Sequence, residues 1–215
     1  MSKNPNHPAK GSKIKIEPIR KLEHIDAIIE LLQNKPREKA LFLLGVNWGL
    51  RASDLIRLKV SQVKYVELAD SFLIYEKKTG KERRLSMNKQ CFTAIHELIA
   101  GLNLVGSDYL FKGQRKSKVV IKHKNKDDET KLEDHISVQF VNLLVKQWTK
   151  AIGLRGKYGS HTLRKSFGYI KRVHQRVDIP TLMSIFGHSS QQMTLRYLCI
   201  QDEEVRDVYL NGIGG

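Results

Sequence analysis

Cysteine is nearly missing from this chain. Its two thiols in 215 residues, Cys91 and Cys199, form no CxxC pair, which points to reduced thiols and a cytoplasmic protein. Long apolar runs are missing too. None approaches the ~20 residues a membrane helix needs, and the opening MSKNPNHPAKGSKIK lacks the apolar core of a signal peptide. No HExxH or carboxylate-ligand pattern occurs, so neither a metal nor another cofactor is expected. Gly80-Lys81 is no nucleotide-binding loop, because that pattern needs Gly at 75 and Ser or Thr at 82, where Tyr75 and Glu82 stand. No internal repeat and no linker divides the chain. Acidic residues are the scarce charge: 22 against 38 Lys and Arg, a formal net of +16. That excess favours a polyanionic partner, DNA, RNA or an acidic membrane surface.

What is present reads as an α+β chain, mainly helical, with a small antiparallel three-stranded sheet. Residues 1–20 read as a flexible basic arm, with Lys3, Lys10, Lys13 and Lys15 either tracking phosphates or simply solvated. Residues 21–215 read as one domain. Apolar spacing predicts helices over Leu22–Asn34, Arg37–Trp48, Ala52–Leu58, Lys89–Ala100 and Val138–Ile152. Ser160 is the expected cap of a helix running through Val173. Shorter helices follow over Asp178–Phe186, up to Tyr197, and over Gln201–Leu210. Val63–Glu67, Ser71–Lys77 and Arg83–Met87 predict the strands, with Thr79-Gly80 as a tight turn. Lys112–Lys131 carries eight basic residues and reads as a phosphate-contacting loop or a charged surface, with Val119-Val120-Ile121 free to pair as a strand. Its carboxylate run Asp127-Asp128-Glu129 reads as a solvated loop rather than a metal site.

The stretch Ser160–Tyr197 concentrates chemistry. His161 and Arg164 are one helical turn apart, and Tyr197 follows the Gly187-His188 turn. Arg51 sits at a corner beside an apolar run, with Asp54 three residues on as a partner carboxylate. Arg51, a hairpin lysine, His161, Arg164, His188 and Tyr197 all suit one phosphate. Guanidiniums grip its oxygens and stabilise the charge of a pentacovalent transition state. A tyrosine hydroxyl can attack phosphorus, and a lysine or histidine can protonate the leaving oxygen.

The segments GLRASDL, KKTGKERRL, SHTLRKSF and FGHSSQQMTLRY together resemble the tyrosine recombinase (phage integrase) family. The resemblance covers the chain from about residue 20 onward. It implies that family's catalytic-domain fold and a site-specific recombinase for integration, excision or inversion. Arg51, Lys78, His161, Arg164 and His188 would hold and activate the scissile phosphate. Tyr197 would form a covalent 3′-phosphotyrosyl bond while Lys78 protonates the 5′ oxygen, Lys81 being the alternative, and Asp54 would support Arg51. Most members carry an N-terminal helical domain that clamps the DNA, which the short arm here does not match. The chain is more similar to single-domain members such as the fimbrial phase-variation invertases. Lys81, Arg83, Lys116, Lys118, Lys122, Lys124 and Lys165 are the expected DNA contacts. The implied partner is double-stranded DNA. The assembly would be a homotetramer on two DNA sites, from a monomer or weak dimer in solution, with accessory DNA-bending proteins and no membrane. A non-catalytic DNA-binding regulator and a type IB topoisomerase-like enzyme are the other two readings.

Overall fold

The central element is a helix whose middle stretch is apolar on every side. The computed structural model describes residues 16–121, 129–200, 206, 209, 210 and 212, with 114–121 and 129–133 described by backbone alone. The arm up to residue 15, Lys122, Lys124, Asp127, Asp128 and most of the expected terminal helix Gln201–Leu210 therefore lie outside the described residues. After α1 (Leu22–Leu31), α2 (Pro36–Trp48) starts on a proline, whose fixed φ suits the first helical turn. All six residues from Ala40 to Gly45, together with Trp48, are buried, so α2 is a core helix rather than an amphipathic surface one. It packs between α5 (Lys89–Gly101) and α7 (Thr162–Val173). It ends at Gly49, whose φ of 55° turns the chain sharply toward Arg51.

Two short helices follow, α3 (Ala52–Leu55) and α4 (Val60–Val63). The second corrects the expected first strand, Val63–Glu67. Val60 and Val63 are three apart and both fully buried, and the Gln62 side chain accepts the Lys59 N–H at 2.8 Å. Helical spacing with its end satisfied outweighs the β-propensity of Val63, Tyr65 and Val66. The expected three-stranded sheet is accordingly a two-stranded hairpin. β1 (Ser71–Tyr75) pairs antiparallel with β2 (Glu82–Ser86), Ile74 lying opposite Arg83. Trp48 donates its indole N–H to Ser86 O at 3.1 Å, so the hairpin is fastened to α2.

A second hairpin occupies the region read as a basic loop. β3 (Lys112–Ile121) pairs with β4 (Glu129–His135), Val119, Val120 and Ile121 lying opposite Lys131, Thr130 and Glu129. The remaining helices are α6 (Val138–Ala151), α8 (Ile179–Phe186) and α9 (Gln191–Leu198), capped by the side chains of Ser137, Asp178 and Ser190. The fold is mainly helical α+β, as expected. Among the described residues no helix is long and apolar enough to cross a membrane.

Two buried clusters divide the interior. The larger runs from Ile19 through α2, α5 and α6 to Leu163. The smaller, Phe167, Leu182, Phe186 and Leu198, joins α7, α8 and α9 and carries Tyr197 on its flank. Residues 16–20, assigned by sequence to the arm, instead lace across α7. Ile19 is fully buried and donates its N–H to Ser166 Oγ at 2.7 Å, and Thr162 Oγ1 donates to Glu17 O at 2.9 Å.

Candidate active site

Arg164 is the bolt of the site. It projects from the first turn of α7 and is 2% exposed. Its guanidinium donates to Gly49 O at 2.6 Å and to Phe186 O at 2.8 Å. One side chain thus joins the end of α2 to the end of α8, and packs 4.7 Å above the Phe186 ring. Burial is the largest influence on it and lowers its pKa, partly offset by Tyr197 and worsened by Arg51. Close packing depends on two glycines here. A Cβ on Gly49 would fall 2.4 Å from Phe167, and one on Gly168 would fall 2.7 Å from Phe186.

Arg51 opens α3 immediately after the Gly49 turn. Sequence spacing assigned it Asp54 as partner, but the geometry ranks the carboxylates otherwise. Glu76 lies 2.6 Å from Arg51 Nη1, and Asp54 lies at 3.8 Å. Asp54 Oδ1 mainly accepts the Lys77 backbone N–H at 3.0 Å. Glu76 is 7% exposed, takes the Thr79 hydroxyl at 2.9 Å and faces Arg83 at 3.8 Å. Burial alone would raise its pKa, yet the hydrogen bonds from Arg51 and Thr79 and the charges of Arg51 and Arg83 hold it below the usual carboxylate value. Glu76 was overlooked in the sequence because an acid beside a lysine-rich turn reads as a solvated hairpin tip. Its position one residue past β1, continuing the inward-facing alternation of Phe72 and Ile74, was the available signal.

Arg83, expected on DNA, donates to Trp48 O at 2.7 Å from beneath the site. Burial, followed by repulsion from Arg164, lowers its pKa to about 10. Lys78 and Lys81 are exposed in the turn that joins β1 to β2. That turn closes through Gly80 N–H to Glu76 O at 2.8 Å, with Gly80 at φ 66°.

Tyr197 projects from α9 into the space between Arg164 and two imidazoles. Its ring lies 5.9 Å from the Arg164 guanidinium carbon, within hydrogen-bonding reach of that group, and 5.3 Å from the His188 ring. Its hydroxyl is 3.5 Å from His161 Nδ1. Burial raises the Tyr197 pKa, against the lowering influence of Arg164 and Arg51. His161 precedes α7 and is exposed to solvent on one side, its ring only partly desolvated by the site. Burial of the ring, then the charges of Lys165, Arg164 and Arg51, depress its pKa. His188 follows Gly187, at φ 63°, and is oriented by Thr194 Oγ1, 2.9 Å from its Nδ1. Thr194, fully buried, was not anticipated. Burial, Arg164 and Arg51 depress the His188 pKa in turn.

Two expectations need correction. Ser160 does not cap α7. The first turn begins after His161 without a side-chain cap, while Thr162 Oγ1 accepts the Gly159 N–H and Asn142 accepts the Ser160 N–H. Lys165 does not face outward as a DNA contact. It is 9% exposed, donates to Ile16 O at 2.9 Å and Cys199 Sγ at 3.1 Å, and stands 5.1 Å over the Tyr197 ring. Three arginines and Lys165 against two carboxylates thus leave the inner site with two formal positive charges, which favours an anion such as a phosphodiester. Lys116 and Lys118 lie on β3. Among the described residues no group of three or more His, Cys, Asp or Glu is arranged to hold a metal ion.

Residues 20–204 match the family model described as the phage integrase family. The "Probable integrase/recombinase YoeC" of Bacillus subtilis is 34% identical over 90% of this chain and 95% of its own length. The tyrosine recombinase XerC of Caldanaerobacter subterraneus is 30% identical over 96% of this chain, which spans only 55% of that relative. Among solved structures, XerA recombinase superposes with a TM-score of 0.69 at 22% identity, over 90% of this chain and 65% of its own. XerH site-specific recombinase bound to its difH substrate superposes with a TM-score of 0.64 at 19% identity, over 93% and 56%.

Proposed function

The chain belongs to the phage integrase family of tyrosine recombinases, and from that premise we propose that it cuts and rejoins double-stranded DNA through a covalent 3′-phosphotyrosyl intermediate. The observation that carries this reading is the placement of the Tyr197 hydroxyl between the Arg164 guanidinium and His161 Nδ1, 3.5 Å away. A half-buried tyrosine with a raised pKa holds its proton at neutral pH, so it needs a base. An imidazole with a depressed pKa is neutral there and able to accept that proton.

The scissile phosphate sits against Arg51 and Arg164, with His188 beside it. Tyr197 Oη attacks phosphorus and gives its proton to His161. The P–O5′ bond breaks, and the leaving oxygen takes a proton from Lys78 in the exposed turn. The arginines compensate the extra charge of the pentacovalent state. Attack by a 5′ hydroxyl of another strand reverses the step and completes strand exchange. Residues 21–215 act as one catalytic unit, four copies assembling on two DNA sites, and integration, excision and inversion differ only in how those sites are arranged. Accessory DNA-bending proteins would set that arrangement. Lys81 with Lys116, Lys118, Lys122 and Lys124 would supply backbone contacts, in keeping with the +16 charge.

The test is covalent capture. Genomic fragments selected by binding are incubated with wild-type protein and with Tyr197→Phe, which keeps the ring and loses only the nucleophilic oxygen. Wild type forms a protein–DNA adduct and Tyr197→Phe binds without forming one. An adduct with Tyr197→Phe removes the assignment.

A further inference from the structure

Glu76 belongs to no catalytic step above, yet it is the most connected acid in the site. It is 2.6 Å from Arg51, accepts the Thr79 hydroxyl at 2.9 Å, and its backbone N–H and C=O bond Lys81 O at 2.9 Å and Gly80 N–H at 2.8 Å. A carboxylate that is 7% exposed is costly to keep ionised unless its partners are fixed. Its partners here are the residue that grips the phosphate and the residue next to Lys78. Asp54 runs parallel to it, sharing Arg51 at 3.8 Å and taking the Lys77 N–H at 3.0 Å. The lysine turn is thereby tied to Arg51 from both ends.

We propose that Glu76 is a positioning residue that couples the phosphate-gripping Arg51 to the delivery of Lys78, with the Thr79 hydroxyl as the link. The reasoning is mechanical. Lys78 is exposed on a turn, where a long side chain samples many rotamers. Proton transfer in the transition state needs the donor within hydrogen-bond distance of the leaving oxygen. Glu76 restricts the turn's backbone through Thr79 while holding Arg51 with its other contact. Arg51 and the Lys78 turn therefore share one anchor, and loosening it affects both the grip and the proton, whereas cutting the Thr79 link affects the proton alone.

This inference rests on the recombinase reading, and the experiment separates the two. Adduct formation is measured in single turnover on a nicked DNA site with either a 5′-oxygen or a 5′-sulfur leaving group, since sulfur needs little protonation. Wild type, Tyr197→Phe, Thr79→Val, Thr79→Ser and Glu76→Gln are compared, each with its DNA affinity and urea midpoint. If wild type gives no adduct, or Tyr197→Phe gives one, the recombinase reading fails first. Given that control, Thr79→Val slows cleavage at oxygen about tenfold or more, is restored by sulfur, and recovers as Thr79→Ser. Glu76→Gln slows both substrates, because Arg51 is loosened too. Wild-type rates for Thr79→Val or Glu76→Gln on the oxygen substrate overturn the coupling. So does a Thr79→Val defect that sulfur fails to restore.

Discussion

Arg164→Ala is expected to cost stability before it costs chemistry. The side chain is 2% exposed and donates to two carbonyls, Gly49 O and Phe186 O, at 2.6 and 2.8 Å. A hydrogen bond from a charged donor contributes about 1.5–3 kcal/mol, and its loss strands a buried carbonyl. Two such bonds give roughly 3–6 kcal/mol by the same reasoning. Relief from burying a cation near Arg51 and Arg83 returns part of that, so the expected net loss is about 3 kcal/mol. At a urea dependence of about 2 kcal/mol per molar, the midpoint falls by about 1.5 M. The assay is equilibrium unfolding of the DNA-free protein, followed by tryptophan fluorescence, with Tyr197→Phe as a comparison that removes no such bond. If Arg164→Ala unfolds at the wild-type urea concentration with an unchanged slope, the two carbonyl contacts carry no weight and the description of Arg164 as a bolt is wrong.

Two other predictions concern the same region. His161 and His188 have pKa values depressed below 6.5, so the unfolded chain binds more protons just below that pH. Their contribution to stability is complete above pH 6.5 and is lost as pH falls through their folded-state values, so a His161→Gln, His188→Gln protein should show a flatter decline in unfolding free energy on acidification. Gly168→Ala places a methyl 2.7 Å from Phe186 and 3.1 Å from Leu198. It should destabilise by about 1–3 kcal/mol in thermal unfolding and slow adduct formation by displacing α9, while leaving DNA affinity within a few-fold.

The longer helices were legible because apolar spacing is local, and Asp178 announces a start three residues before the N–H it accepts; Asn88, Ser137 and Ser190 cap in the same way but went unread, and Ser160, read as a cap, is not one. Strand pairing was less so, since it depends on partners far along the chain. Val63–Glu67 has strand-like composition but packs by the Val60–Val63 helical repeat, and of β3 only Val119-Val120-Ile121 reads as able to pair, the lysine-rich remainder gaining its strand character from β4 beside it. Of the site, the side chains with distinctive chemistry were readable from their motifs. Glu76, Thr194 and the inward turn of Lys165 were not, because each is defined by a tertiary neighbour: Arg51, His188 and Ile16 respectively. A lysine after an arginine in a basic chain offers no sequence cue that it will donate to a carbonyl 149 residues away.

The division of the interior bears on how this protein fails. Tyr197 is held by the smaller cluster, where four buried side chains bind α8 and α9 to one face of α7. Such a patch has far less apolar area than the body around α2, and regions of that kind open at lower free energy than the whole. Warming should therefore lift the nucleophile out of register while most helices persist. The chain would be disarmed at a temperature below its melting point and rearmed on cooling, so its working range is set by a quartet of side chains and not by the bulk of its core.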